Sequence, residues 1–174
     1  MHIYVDESKS KAYIFAAVII EPGRAAALRK LMRNFLMPGQ GHIHFVNESD
    51  SRRKRILQSL EDIEVRVRIY RVTGLNPIVA RTLCLGALMD DCLILGATAL
   101  TLERDDSLFK SDEIVLRQGL YARGLKKNLE YLHVGKSDEP IVWIADAIAW
   151  SYARGGDFRR RAMKVIECVK DASA

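Results

Sequence analysis

Carboxylate side chains occur in three separated segments of the sequence, each next to a run of apolar residues. Asp6 and Glu7 end the first run, and the segment LERDD at 102–106 ends the second. Asp146 is the third, and it is the one charged residue between Ile141 and Ala153. A carboxylate among Ile, Val, Trp and Ala is costly unless it is paired, hydrogen-bonded or bound to a cation. Asp146 therefore requires a partner.

The segments around these carboxylates have the patterns of strands and of a helix. Met1–Glu7 alternates, Ala12–Ile20 is a continuous apolar run, and the short turn between them predicts an antiparallel hairpin. Ala97–Glu103 is another strand of the buried type, and a helix begins at Pro140. Ligands of open α/β sheets collect beyond the strand ends, so we expect the three acidic clusters to meet there.

Carboxylates that converge favour a hard divalent cation, Mg²⁺ or Mn²⁺. Two such ions about 4 Å apart activate a water and stabilise the leaving oxygen in phosphodiester cleavage. The predicted metal ligands are Asp6, Glu103, Asp105 and Asp146, and Glu7 is a further candidate for catalysis. Each has a structural alternative: turn formation for the first cluster, helix capping for the second, and pairing with Arg or backbone N–H groups for the third.

The rest of the chain alternates between helices and strands. Further helices are predicted for 22–36, 50–60, 77–95, 107–123 and 157–170, and further strands for 63–72 and 130–134. A short strand or an extended segment is predicted for 42–45. The alternation at 63–72 is typical of a strand with one wet face near a sheet edge. The hairpin followed by alternating elements indicates an α/β fold with three layers, a mixed sheet with helices on both faces, in a single domain over residues 1–174.

Composition argues against several classes of protein. The chain has 174 residues, of which 49% are hydrophobic, enough for the core of one domain. No apolar run approaches about 20 residues, so we expect no membrane partner and a cytoplasmic location. Three cysteines without a CxxC pair indicate reduced thiols rather than disulfides or a zinc site. Walker, GxGxxG and GxSxG motifs do not occur, so nucleotide-cofactor and serine-hydrolase chemistry lack support.

The segment HIHF contains the histidines that we consider for catalysis. His42 and His44 lie on one face of the predicted strand, but two ligands without a third do not make a zinc site. His44, with Glu48 nearby in sequence, would position a phosphate or transfer a proton. The alternative is a partly buried His44 that is hydrogen-bonded to backbone.

Two basic clusters are candidates for nucleic-acid binding. The net charge of +5 and the pI of about 9.2 permit DNA or RNA as a partner. The predicted phosphate contacts are Arg52 and Arg53 in SRRKR and Arg159 and Arg160 in RGGDFRRR. Arg52 and Arg53 lie in the first turn of a predicted helix, where positive side chains are unfavourable because this end of the helix dipole is also positive. A bound anion would offset this unfavourable charge. A solvated helix face is the alternative for each cluster.

Four motifs occur in an order that resembles the bacterial family known as domain of unknown function 3800. They are IYVDES at 3–8, HFVNESDSRRKRIL at 44–57, LERDDS at 102–107 and EPIVWIADAIAW at 139–150. The resemblance extends over essentially the whole chain. It departs from the family pattern at Lys9, because the usual DESG reads DESK here.

The resemblance implies a ribonuclease H-like fold, in which ribonucleases, resolvases and transposases hold two metal ions with a carboxylate cluster. It also implies metal ligands at Asp6, at Glu103 or Asp105, and at Asp146. The resulting hypothesis is a Mg²⁺- or Mn²⁺-dependent phosphodiesterase, specifically a nuclease, with His44 at its site. Two alternatives stay open: a nucleic-acid-binding or regulatory domain without catalysis, and a phosphoesterase for a small molecule.

Overall fold

Six strands form one mixed sheet in the computed structural model, which describes all 174 residues. The strands are β1 (His2–Lys9), β2 (Tyr13–Ile20), β3 (Arg66–Val72), β4 (Ala99–Glu103), β5 (Glu130–Val134) and β6 (Ile166–Asp171). They lie in the order β5-β4-β1-β2-β3-β6. β2 is antiparallel to both of its neighbours, β1 and β3, and all other neighbouring strands are parallel.

Six helices cover the two faces of the sheet. They are α1 (Ala25–Asn34), α2 (Asp50–Asp62), α3 (Pro77–Ile94), α4 (Phe109–Ala122), α5 (Pro140–Arg154) and α6 (Gly156–Ala162). One face packs against α1, α2, α5 and α6, and the other against α3 and α4. The predicted α/β fold, with its initial antiparallel hairpin and helices on both faces, is confirmed. None of the helices combines the length and the apolarity that crossing a membrane requires.

The central position of β2 explains its unbroken apolar sequence. All eight residues of β2 are buried. Ile14 and Ala16 enter the core beneath α5, and Tyr13 and Phe15 enter the core beneath α3. A strand with helices on both faces needs apolar side chains in every position, as the sequence pattern indicated.

The pairing of β1 with β4 determines where two of the acidic residues point. Val5 lies opposite Leu102 in the parallel ladder, and both pack into the core beneath α3 and α4. Successive side chains of a strand alternate between the faces. The next residue of each strand, Asp6 and Glu103, therefore projects toward the face on which α5 lies.

Of the two predictions for 42–45, a short strand or an extended segment, the strand is wrong. His44 has an extended backbone, but the chain then forms a single 3-10 turn at Phe45–Asn47. The Phe45 N–H, which a sheet would pair with a neighbouring strand, donates instead to Asp146 Oδ2 at 2.6 Å. The carboxylate of Asp146 thus replaces the carbonyl group that a neighbouring strand would offer, and it satisfies the hydrogen bond of the buried N–H equally well.

The predicted last helix is wrong beyond Ala162. The chain leaves α6 there and enters β6, which pairs with β3 in parallel. The sequence IECVKD alternates buried or half-buried residues with exposed ones, which is the period of a strand. The strand predicted at 63–72 begins only at Arg66, and it lies near a sheet edge as predicted, since β6 alone lies outside it.

Candidate active site

A polar cavity of about 470 Å³ lies at the carboxyl ends of β1 and β4, and no hydrophobic side chain lines it. Six carboxylates line the cavity: Asp6, Glu7, Glu103, Asp105, Asp106 and Asp146. The other lining residues are Lys9, His44, Arg104 and Lys136. The three acidic clusters of the sequence therefore meet at one place. With six carboxylates against three Lys or Arg side chains, the cavity is negative although the chain as a whole is positive.

Asp6 is the most strongly perturbed of these carboxylates. It is 7% exposed, and its Oδ1 accepts a hydrogen bond of 2.7 Å from the Glu7 N–H, while Oδ2 has no donor in the protein. Burial, together with repulsion from Glu103, Asp146 and Glu7, raises the pKa of Asp6 well above its ordinary value. The ionised form of Asp6 therefore lacks a compensating positive charge.

Glu103 lies beside Asp6 on the neighbouring strand. Neither of its carboxylate oxygens accepts a hydrogen bond from the protein. Burial raises the pKa of Glu103, and repulsion from Asp146 adds to this effect, although the charge of Lys136 opposes it. Two neighbouring carboxylates thus disfavour each other's charged form, which is the arrangement that a bound cation would relieve.

Asp146 connects α5 to the loop before α2. Its Oδ2 accepts the hydrogen bond from the Phe45 N–H and lies 3.3 Å from His44 Nδ1. Its Oδ1 has no donor in the protein. The hydrogen bond to Asp146 raises the pKa of His44 and so favours the imidazolium, whose side chain is 44% exposed. The partner that this isolated carboxylate required is a backbone N–H and a histidine, with one oxygen still available.

Glu7 and Asp105 line the same cavity but are neutralised by cations. Arg81 Nη1 lies 2.7 Å from one oxygen of Glu7, and Lys9 Nζ lies 3.1 Å from the other. Lys9 Nζ also lies 2.8 Å from Asp105 Oδ2. Hydrogen bonds from Lys9 and Ser107 lower the pKa of Asp105. Lys9, the residue that departs from the family pattern, thus bridges two of the three acidic clusters.

The first predicted pair of phosphate-binding arginines lies outside the cavity. Arg52 pairs with the buried Glu48, and Arg53 donates to the carbonyl oxygens of Phe45 and Val46 at 2.9 and 2.6 Å. Both guanidinium groups therefore hold the loop that contains the cavity histidine. Glu48 is bound to this pair and does not line the cavity.

The second pair, in the last turn of α6, also lies outside the cavity. Arg160 pairs with Asp157 within the same helix. The guanidinium of Arg159 lies 3.8 Å from the centre of the Tyr152 ring and forms no ion pair. Arg159 lines a separate cavity beside the β1–β2 turn.

Sequence reasoning missed two basic residues of the cavity, Arg104 and Lys136. Arg104 follows β4 directly, and Lys136 follows β5, the strand that pairs with β4. Both could have been found by applying the strand-end rule to charged residues of either sign rather than to acids alone.

The donor set of the cavity fits a divalent cation in its chemistry. Asp6 Oδ2, Asp146 Oδ1 and both oxygens of Glu103 lack protein donors, and Mg²⁺ and Mn²⁺ prefer such oxygens with waters completing the shell. The structure contains no group of three or more His, Cys, Asp or Glu side chains already arranged as a coordination shell. Binding a cation would therefore require small side-chain movements toward a common centre.

Comparison with solved structures reveals a similar fold. The chain is similar to RNase HII in the PCNA:RNase HII complex from Archaeoglobus fulgidus, with a TM-score of 0.59 and 17% identity over 86% of this chain and 70% of that chain. At this identity the likeness shows a shared ribonuclease H-like fold. No protein-family model and no curated protein sequence matches the chain, so the likeness to the family of domain of unknown function 3800 stays a resemblance of short motifs.

Proposed function

We propose that the protein is a divalent-metal-dependent phosphodiesterase, specifically a nuclease, with its active site in the cavity between β1, β4 and α5. The observation that carries the proposal is the convergence of Asp6, Glu103 and Asp146, whose free oxygens face one polar cavity. The fold shared with an RNase HII supports a phosphodiester as the substrate over other substrates of metal-dependent hydrolases.

Each of these residues has a defined role in the proposed reaction. Asp6, Glu103 and Asp146 would hold Mg²⁺ or Mn²⁺, which supplies a polarised phosphate and an activated water when it is bound. His44, whose imidazolium form is favoured by Asp146, would donate a hydrogen bond or a proton to an oxygen of the phosphate. Its exposure allows the ring to reach a substrate that lies over the cavity.

Glu7 and Asp105 have a positioning role in this proposal. Their oxygens are bound by Lys9 and Arg81, so they have little capacity left for a cation. The backbone N–H of Glu7 donates to Asp6 Oδ1, which fixes the orientation of that carboxylate. The two residues thus orient the end of β1 rather than bind metal.

A nucleic-acid-binding domain without catalysis is the second candidate. One observation favours it: no coordination shell is preformed in the cavity. This candidate predicts that the protein binds nucleic acid in a salt-dependent way, without turnover and without any effect of chelators.

A cleavage assay tests the proposed function. Labelled single-stranded and double-stranded DNA and RNA are incubated with Mg²⁺ or Mn²⁺ and with wild type, Asp6→Asn or Asp146→Asn. We expect cleavage by wild type and a loss of about 100-fold or more in each variant, because a lost ligand removes several kcal/mol of metal-ion catalysis. Asp106→Asn is the matched control, since this side chain lies at the same cavity but is 86% exposed. Undiminished cleavage by both Asn variants would overturn the assignment.

A further inference from the structure

A groove of opposite charge adjoins the candidate active site. Two cavities of about 250 Å³ each lie between the β1–β2 turn and the C-terminal half of α5. Both are lined by Ser10, Lys11 and Ala153, so they adjoin each other. We call them the hairpin groove, defined by Lys11, Trp150 and Arg154 at one end and by Arg71, Tyr152 and Arg159 at the other.

Two elements lead from the carboxylates into the hairpin groove. On β1, Asp6 lines the acidic cavity and Ser8 lines the groove, on the same face of the strand and about 7 Å further along. On α5, Asp146 lines the cavity, and Trp150 and Arg154 line the groove. These three positions are spaced by four residues and thus share one helix face, over about 12 Å. The groove therefore continues the cavity in one direction.

The charge changes sign between the acidic cavity and the hairpin groove. No carboxylate lines the hairpin groove, whereas six line the cavity. Lys11, Arg154 and Arg159 form no ion pair within the protein, and Arg71 has only a long contact of 3.6 Å to Asp171. These cations are therefore available to an anion from outside the protein.

A nucleic-acid strand matches this succession of charges. Its reacting phosphate would lie over the carboxylates and their cation, and its following phosphates would lie along the cations of the groove. One strand has a phosphate for about every 3.4 Å of duplex axis, and the spacing is longer in an extended strand, so 12 Å takes roughly two to three phosphates. A small phosphoester has no group to occupy this length.

The aromatic wall of the groove indicates which part of the strand is contacted. The guanidinium of Arg53 lies 4.2 Å from the centre of the Trp150 ring, and the rings of Phe45 and Phe158 form T-shaped contacts with it. The ring is therefore covered on a face that a base would need for stacking. The exposed partners in the groove are cations and hydroxyls, which contact phosphate and sugar without reading the bases.

We propose that the hairpin groove binds the sugar–phosphate backbone of a single nucleic-acid strand beside the phosphate that is cleaved. The placement of the reacting phosphate rests on the proposed function, whereas the binding itself does not. DNA and RNA share the chemistry that the groove recognises. The groove thus makes a polynucleotide, rather than a small phosphoester, the substrate class of the site.

The test measures binding without cleavage. Fluorescein-labelled single-stranded DNA and RNA of the same sequence are titrated in EDTA over a range of salt concentrations, and anisotropy gives the Kd. The groove variant is Lys11→Ala/Arg154→Ala/Arg159→Ala. We expect its salt slope to fall by about 2, since each phosphate contact on a single strand contributes about 0.7, and its affinity at low salt to fall at least about tenfold.

The matched control is Lys30→Ala/Lys126→Ala/Lys127→Ala, which removes the same charge from exposed positions away from the groove. Its slope and affinity should stay near those of wild type, and unchanged melting temperatures show that both triple variants fold. Wild-type binding by the groove variant, or an equal loss in the control, would overturn the proposal. If the groove variant loses affinity for DNA alone or for RNA alone, the groove binds strands of that type.

The two proposals can fail separately. If no metal supports cleavage but the groove variant loses binding, the nuclease function falls and the groove assignment stands. If wild type cleaves while the groove variant binds like wild type, the groove assignment falls and the nuclease function stands.

Discussion

Buried carboxylates on the two faces of the sheet have opposite surroundings. On the α5 face, burial and repulsion from neighbouring carboxylates raise the pKa of both Asp6 and Glu103. On the α3 face, Arg81 binds both oxygens of Asp112 at 2.7 Å, and His133 Nε2 lies 3.3 Å away. Burial disfavours the charge of Asp112, but the bonds from His133 and Arg81 outweigh it and lower the pKa. The first arrangement is costly in free energy, and the second is balanced.

The charge of Asp91, a second buried carboxylate on the α3 face, is also balanced by its partners. Asp91 is fully buried, and it accepts hydrogen bonds from Tyr70 and Lys170 and pairs with Arg68 at 3.1 Å. Asp91 and Asp146 both lie in apolar helices, so burial alone does not distinguish a structural carboxylate from a functional one. Their hydrogen bonding does distinguish them: both oxygens of Asp91 are bound within the protein, whereas Asp146 keeps one oxygen without a donor.

Removal of a balanced carboxylate should have the largest effect on stability. Asp112→Asn leaves Arg81 buried with one partner fewer, and breaking a buried pair costs about 3–5 kcal/mol. We expect the free energy of unfolding in urea to fall by about 3 kcal/mol, since Glu7 still pairs with Arg81. A loss below about 1 kcal/mol would show that the α3 face is not held by this pair.

The pH dependence of this effect follows from the sign of the pKa shift. The pKa of Asp112 is lower in the folded state than in the unfolded chain, so its stabilisation is complete above the unfolded value of about 3.9. It is lost as the pH falls through the lower, folded value. The difference in unfolding free energy between wild type and Asp112→Asn should therefore be constant above about pH 5 and shrink below about pH 4. A difference that grows on acidification would contradict the balanced state of Asp112.

Removal of an unbalanced carboxylate should have a smaller effect of opposite sign. Asp6→Asn in EDTA removes a charge that burial and three neighbouring acids disfavour, and the amide oxygen can still accept the Glu7 N–H. We expect the free energy of unfolding at neutral pH to rise by about 1 kcal/mol, the size of effect that is common for a single substitution. A fall of similar size would place Asp6 with the structural carboxylates.

The parts of the molecule that follow from local pattern were predictable from the sequence. The apolar run of β2 and the turn before it indicated the central hairpin, and Asp6 and Glu103 were found because each follows a run of apolar residues. Asp146 was found because one charge interrupts an apolar helix. These features depend on residue type and on period, which the sequence displays directly.

The parts that depend on a distant partner were not predictable. The segment 42–45 has the pattern of a strand, but its backbone donor binds Asp146, a residue 101 positions away from Phe45. The strand β6 follows a helical, arginine-rich stretch, and its period is visible over only six residues. The Arg81–Asp112 pair joins two helices that have no motif in common. Only the three-dimensional arrangement separates the compensated acids from the uncompensated ones.

The central claim, that Asp6, Glu103 and Asp146 form a cation site, is tested most directly by thermal unfolding with Mn²⁺ and then with EDTA. At a Mn²⁺ concentration about 100 times the Kd, binding to the folded state adds about 2.7 kcal/mol, which for a chain of this length raises Tm by about 5–10 °C. We predict this rise for wild type and for Asp106→Asn, its reversal by EDTA, and no rise for Asp146→Asn. A wild type that does not respond to Mn²⁺, or an Asp146→Asn variant that responds equally, would contradict the account.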